Sequence, residues 1–335
     1  LHLVEKVEQY ASLGWMPAKE KPFFLQFYHE YVGALQKDGV DPAPHLQIFD
    51  AFLERCKELV LSPYTFSPYH KQVREPFDYY QFGLDFFRPL IDFPHSSVEG
   101  HDVLRGIAND LKRGENVIFL ANHQIEADPQ VLSLLLEKEY PALATEMIFV
   151  AGERVTTDLL AVPFSLGRNL LCIYSKRHID HPPEQKTRKQ LHNQKTMELM
   201  SELLSEGGHA IYVAPSGGRD RADAKGVVHV APFDPQSIEM FHLMTKKAKK
   251  PTSFYPMALS TYAILPPPKD VQKELGEERK TGRGAVHLFV GPKISMDTFP
   301  GAEHGDKREK RQKRAECIWD QVNQAYERFS KHPPS

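Results

Sequence analysis

From about residue 98 onward, short apolar runs alternate with longer amphipathic stretches, and this alternation limits the fold more than any other feature of the chain. Runs such as Val117-Ile118-Phe119-Leu120 have no polar face, so a strand built from them must be covered on both sides. The pattern predicts strands over 116–121, 147–151, 169–174, 209–214, 253–259 and 285–291. It predicts helices over 103–112, 129–138, 184–205, 237–247 and 307–330. Strands and helices in alternation give an α/β architecture, with a mixed, largely parallel sheet flanked by helices.

The first part of the chain reads differently. Leu3, Val4, Val7 and Ala11 follow a helical period, as do Phe24, Phe27, Tyr28, Tyr31 and Leu35, and again Phe49, Phe52, Leu53, Cys56 and Val60. Pro17, Pro22, Pro42 and Pro44 separate these stretches. Residues 62–68 read as a connector, and an aromatic-rich helix follows around 77–90. The expected division is a small N-terminal helical bundle domain, 1–72, and a larger α/β domain, 73–335. A chain of 335 residues is long enough for two such units.

Bulk properties exclude several function classes. The formal net charge is −2, so no nucleic-acid partner is expected and an anion site must come from local clustering. Cys56, Cys172 and Cys317 are widely separated, give neither zinc spacing nor a disulfide framework, and suit a reducing compartment. No stretch reaches the roughly 18 apolar residues of a membrane span. The start at Leu1 shows no signal-peptide pattern and is compatible with a trimmed leader. The expectation is a soluble protein. Neither G-x-G-x-x-G after a strand, nor a P-loop, nor H-E-x-x-H occurs. His178, Asp180 and His181 are followed by Pro182 and Pro183 without a second ligand group, so no metal and no cofactor are expected.

Three segments could carry chemistry. In Asn122-His123-Gln124-Ile125-Glu126-Ala127-Asp128, an imidazole and a carboxylate meet at a strand-to-helix junction. The Asp can hold one ring nitrogen and leave the other as a base, which suits a substrate that brings its own hydroxyl. The same residues also fit a strand-end histidine and an aspartate on a helix dipole. The second segment, Ala214-Pro215-Ser216-Gly217-Gly218-Arg219-Asp220-Arg221, sets a glycine turn and two planar donors after an apolar run, which points to a phosphate site, although a plain glycine turn followed by exposed arginines reads the same way. Ser216 is an alternative nucleophile, although an elbow needs glycine at position 214, where this chain has alanine. The third segment is Tyr174-Ser175-Lys176-Arg177-His178, followed by a basic run through Lys186, Arg188, Lys189, His192 and Lys195 that reads mostly as a solvated helix face. Strands ending before all three would deliver them to one rim of the sheet, where open α/β sheets bind ligands.

Taken in order, these residues resemble the sequence blocks of the glycerolipid acyltransferase superfamily, in particular its soluble, plastid-type glycerol-3-phosphate acyltransferase branch. The N-H-x-x-x-x-D block is Asn122-His123 to Asp128. The second block runs from Gly167-Arg168 to Ile179, and the third is Pro215 to Arg221. The fourth is Phe254-Tyr255-Pro256-Met257-Ala258-Leu259. The resemblance covers nearly the whole chain. It implies that His123 is a general base on the sn-1 hydroxyl of glycerol 3-phosphate, that Asp128 orients it, and that no acyl-enzyme forms. It implies a phosphate site made by Arg219, Arg221, His178 and the basic residue before it, Arg177 with Lys176 one earlier. The implied partners are glycerol 3-phosphate and an acyl thioester of acyl carrier protein or CoA, with at most peripheral membrane contact. A monomer in a plastid stroma or bacterial cytoplasm is expected. The alternatives are a serine esterase or thioesterase using Ser216, and a phosphate- or phospholipid-binding module.

Overall fold

The computed structural model describes residues 2–175, 179–268, 277–303 and 305–331. In chain order the elements are α1 (His2–Ser12), α2 (Lys21–Lys37), α3 (Gln47–Leu61), β1 (Tyr69–His70), α4 (Tyr79–Phe87), β2 (Ser97–Glu99), α5 (His101–Lys112) and β3 (Asn116–Ala121). There follow α6 (Asp128–Leu136), α7 (Pro141–Glu146), β4 (Ile148–Ala151), α8 (Glu153–Thr157), α9 (Val162–Leu166), β5 (Asn169–Cys172), α10 (Lys186–Glu206) and β6 (Ala210–Val213). The chain continues through β7 (Arg221–Ala222), β8 (Val228–His229), α11 (Pro235–Lys247), β9 (Thr252–Ser260), β10 (His287–Val290) and α12 (Lys307–Lys331).

Eight strands form one sheet in the order β1-β5-β4-β6-β3-β9-β10-β2, and β7 pairs with β8 separately. The central neighbours β5, β4, β6, β3 and β9 are parallel, while β1 and β10 pair antiparallel to β5 and β9. The sheet is therefore mixed and largely parallel, as the alternation predicts. β3 shows why its run is wholly apolar. Val117, Phe119 and Ala121 pack on one face with Leu104 and Ile107 of α5 and Leu132 and Leu136 of α6. Ile118 and Leu120 pack on the other with Met200 and Leu204 of α10 and Ile318 and Val322 of α12.

The N-terminal helices bury aromatic rings against one another. Phe24, Phe27, Phe49 and Phe52 are fully buried, with ring centroids 5.1 to 6.2 Å apart. Burying each side chain is worth about 1.5–3 kcal/mol. This core runs on into Phe86 of α4, and Phe52 also meets Phe164 of α9 at 5.2 Å.

Boundaries shift where side chains compete with the backbone ladder. The strand expected over 169–174 stops at Cys172. Beyond it, the Tyr174 amide donates to Asn193 Oδ1 and the Asn193 side chain donates to the Tyr174 carbonyl, both at 2.8 Å. The helix expected from 77 begins at Tyr79, because Asp78 caps it by accepting from the Gln81 amide at 2.9 Å. The edge strands β1 and β2 and the short helices α7, α8 and α9 have no counterpart in the sequence-based expectation.

Gly167, which closes α9, lies against the start of α4. A Cβ there would sit 2.4 Å from the Tyr79 carbonyl oxygen and 2.6 Å from the Tyr80 nitrogen, both backbone atoms that cannot swing away. Gly167→Ala is expected to destabilise the protein by about 1–3 kcal/mol or more through overpacking. Gly106→Ala, on an exposed turn of α5 with nothing within 4 Å, should stabilise by up to about 1 kcal/mol. Chemical denaturation of both variants checks the contrast, and equal effects would refute it.

Candidate active site

The parallel strands β3, β4, β5, β6 and β9 all point the same way, so the segments leaving them share one rim. Directly after β3, Asn122 is fully buried and clamps two other segments. Its Nδ2 donates to Asp220 Oδ2 at 2.8 Å and to the Leu259 carbonyl at 2.9 Å, and its Oδ1 accepts from the Leu259 amide at 2.7 Å. Gln124, also buried, donates to Asp220 Oδ2 at 3.2 Å and accepts from the Thr261 and Tyr262 amides at 2.8 and 3.0 Å. Two polar side chains thus lock the residues on either side of His123.

His123 itself is 29% exposed and Asp128 is 1% exposed. Asp128 sits in the first turn of α6, where the helix dipole favours a negative charge. Its Oδ2 accepts from His123 Nδ1 at 2.8 Å and from the backbone amides of Gln124 and Ile125 at 2.7 and 3.2 Å. Its Oδ1 accepts from the Thr261 hydroxyl at 2.6 Å. With Nδ1–H committed to the carboxylate, Nε2 is the ring nitrogen with the free lone pair. The arrangement can accept a proton from a hydroxyl and stabilise the imidazolium that results.

The segment after β6 reaches the same rim, for the Asp220 amide donates to the His123 carbonyl at 2.6 Å. Gly217 adopts φ +65°, a left-handed conformation that favours glycine, and no heavy atom lies within 4 Å of where its Cβ would be. Ser216 donates its hydroxyl to the Gly218 carbonyl at 2.8 Å and not to an imidazole nitrogen, an arrangement unlike an activated serine.

Arg219 is 10% exposed and meets Glu277 through two parallel bonds, Nη1 to Oε1 at 2.7 Å and Nη2 to Oε2 at 2.8 Å. Arg154 joins the same carboxylate at 3.0 Å. Beside them Arg279, 3% exposed, pairs with Glu126 and Asp158, each at 3.1 Å. Burial opposes charge on Arg219 and Glu126 alike. Glu277 and Glu126 nevertheless hold the Arg219 guanidinium above its ordinary pKa, and Arg279, Arg219 and Arg154 hold the Glu126 carboxyl below its own. Arg221 donates to the Pro268 carbonyl, and burial together with Arg219 lowers its pKa. The structure therefore gathers His123, Asp128, Arg219 and Arg221 on one rim. Lys176, Arg177 and His178 lie outside the described residues. The chain leading to them is fastened to α10 by Asn193 and by His192, whose Nε2 lies 3.0 Å from the Cys172 carbonyl.

Comparison with known proteins matches residues 102–260 to the family model described as Acyltransferase. Over 328 residues the chain is 37% identical to the chloroplastic glycerol-3-phosphate acyltransferase of Arabidopsis thaliana, covering 97% of this chain and 71% of that one. It is 39% identical over 327 residues to the chloroplastic glycerol-3-phosphate acyltransferase ATS11 of Cucurbita moschata, covering 97% and 73%. The chain belongs to the glycerol-3-phosphate acyltransferase family. Among solved structures, the 1-acyl-sn-glycerophosphate acyltransferase PlsC from Thermotoga maritima is a loose likeness, with a TM-score of 0.43 and 16% identity over 92% of this chain and 97% of that one.

Within this family member, sequence reasoning alone gives Asp220 no role, because an Asp between two arginines looks like loop charge. The structure makes it the strut between blocks: fully buried, its Oδ2 faces Asn122 and Gln124 and its Oδ1 accepts from the Ala231 amide at 2.8 Å. Glu126, Asp158, Glu277 and Arg279 are equally inconspicuous in the sequence, being scattered charges with no local pattern. Lys189 departs from the solvated face that its charged run suggests. It is 2% exposed, with Nζ 5.0 Å from the centre of the Tyr174 ring and bonded to the His181 carbonyl at 2.7 Å.

Burial pushes the Asp220 carboxyl up to about 6 from its ordinary 3.8, against the downward pull of its three donors and of His123. Between those values the folded chain keeps a proton that the unfolded chain releases, so stability present below the lower value is lost as pH rises through the upper one. The loss is roughly 3 kcal/mol, at about 1.36 kcal/mol for each pH unit that separates the two values. Asp220→Asn does not titrate. The stability of wild type relative to this variant should therefore fall by that order between about pH 4 and about pH 7. A difference that stays flat across the range in denaturant titrations would contradict the assignment.

Proposed function

We propose that the chain transfers a fatty acyl group from a thioester to the sn-1 hydroxyl of glycerol 3-phosphate, giving lysophosphatidic acid. The observation that carries this reading is the His123–Asp128 pair at 2.8 Å on the same rim as Arg219 and Arg221. The curated relatives that share most of this chain are named for glycerol-3-phosphate acyl transfer.

The acceptor's phosphate binds among Arg219, Arg221 and the basic residues Lys176, Arg177 and His178, which the family resemblance assigns to it. Guanidinium forks suit the charge and the planar oxygen pairs of a phosphate. Anchoring the phosphate sets the C1 hydroxyl beside His123 Nε2, and such orientation replaces a costly encounter with a positioned one. As the hydroxyl oxygen attacks the thioester carbonyl carbon, its proton passes to Nε2. Asp128 stabilises the imidazolium through Nδ1. The tetrahedral intermediate then expels the thiolate, which takes the proton back from His123, leaving a free thiol and an ester. No serine or cysteine is acylated.

The acyl donor is a thioester of acyl carrier protein or of CoA. The curated relatives are described as chloroplastic, and no helix among the described residues is long and apolar enough to cross a membrane. The relatives' descriptions support a plastid stroma as the place of the activity, with a bacterial cytoplasm as the alternative; a monomer with at most peripheral membrane contact is part of the same proposal.

His123→Ala is expected to lower kcat by about 10²–10⁴-fold while leaving calorimetric binding of glycerol 3-phosphate nearly intact. Equal loss of binding would contradict the base role. Arg219→Ala should raise KM for glycerol 3-phosphate by roughly 10–100-fold, the value of one or more charge-assisted hydrogen bonds. A change confined to kcat would argue against the phosphate role.

A further inference from the structure

The two nitrogens that Arg219 would offer to a phosphate are already engaged. Its Nη1 and Nη2 face the two oxygens of Glu277 at 2.7 and 2.8 Å, and Arg154 reaches the same carboxylate at 3.0 Å. This fork-to-fork geometry is the one in which a guanidinium also takes phosphate oxygens. Glu277 is 3% exposed and belongs to the connection between β9 and β10, not to a strand or helix of the framework. The Glu277 backbone is anchored, its carbonyl accepting from Arg279 Nη1 at 3.2 Å. Glu126 and Asp158 are paired with Arg279, and Asp158 also accepts from the Leu160 and Ala161 amides at 2.8 and 3.2 Å. Glu126 acts on these arginines through its charge, but Glu277 is the carboxylate hydrogen-bonded to both guanidinium groups, and its single charge is smaller than a phosphate dianion would bring in its place.

We propose that Glu277 is an internal stand-in for the acceptor's phosphate. It holds Arg219 and Arg154 in place and yields them when the substrate arrives, so that acceptor binding is an exchange of one anion for another. This deepens the phosphate reading of Arg219 and rests on it. It also makes Glu277 a specificity-determining residue. A neutral polyol carries the hydroxyl but has nothing to exchange, and a monocarboxylate gains nothing over the carboxylate already there. Only a strongly charged anion such as a phosphate monoester shifts the exchange toward binding.

Steady-state kinetics on the full chain test this, with glycerol 3-phosphate varied and inorganic phosphate as the competing probe. Glu277→Gln keeps the shape of the side chain and removes its charge. The expected result is a fall of about fivefold or more in both KM for glycerol 3-phosphate and Ki for phosphate, with kcat changing far less. Glu277→Asp, which draws the carboxylate back by one methylene, should shift both constants in the same direction by a smaller factor, and it decides the matter if the Gln variant does not fold. Unchanged or raised constants would overturn the proposal and make Glu277 a strut for Arg219. A KM that Arg219→Ala leaves unmoved would instead overturn the phosphate reading itself, and the proposal with it.

Discussion

Asp128 is 1% exposed and accepts hydrogen bonds from the His123 ring, from two backbone amides and from the Thr261 hydroxyl. A carboxylate taken out of water costs several kcal/mol unless donors surround it. These donors exist only if the chain after β3 turns back on itself and β9 ends beside it. The requirement that makes the carboxylate tolerable therefore also sets the tautomer and the direction of His123. Asn122 and Gln124 serve the same turn from the other side, tying it to Asp220 and to the end of β9. His123, the proposed base, is positioned by fold-level necessities rather than by a separate catalytic scaffold.

The rim next to it is held by charge. Arg154, Arg219 and Arg279 interleave with Glu126, Asp158 and Glu277 at 2.7 to 3.1 Å. Buried ion pairs of this kind are weak contributors to net stability, because desolvation offsets much of the attraction. What they supply is placement. Losing one partner strands an uncompensated charge, so each side chain is confined to one arrangement. If the cluster is the proposed phosphate site, it fixes guanidinium forks before any substrate arrives, which reduces the ordering cost of binding.

Much of this is legible in the sequence where the signal is local. The all-apolar run of β3 reads as a doubly covered strand because Val117 and Ile118 must face opposite layers, and both are fully buried. The imidazole and carboxylate of His123 and Asp128 are close enough along the chain to suggest their contact directly. The strand ends that bring Asn122 and Pro215 to one rim follow from the alternation of elements. What escapes is non-local or disguised. Glu277 reaches Arg219 across 58 positions and Arg279 reaches Glu126 across 153, with no periodicity to mark either pair. Lys189 sits in a run of charges that looks solvated, and only the packing of α10 against Tyr174 reveals it as buried. Asn193 ends β5 by side-chain competition that composition does not announce.

The central claim is direct transfer, in which the acceptor's own hydroxyl attacks the thioester under the control of His123. The most direct test is thiol release from an acyl thioester of acyl carrier protein or CoA, followed rapidly enough to resolve the first turnover, with and without glycerol 3-phosphate. The account predicts release only when glycerol 3-phosphate is present, matched mole for mole by lysophosphatidic acid, with no burst in its absence. A stoichiometric burst of thiol without the acceptor would mean an acylated side chain and would contradict it.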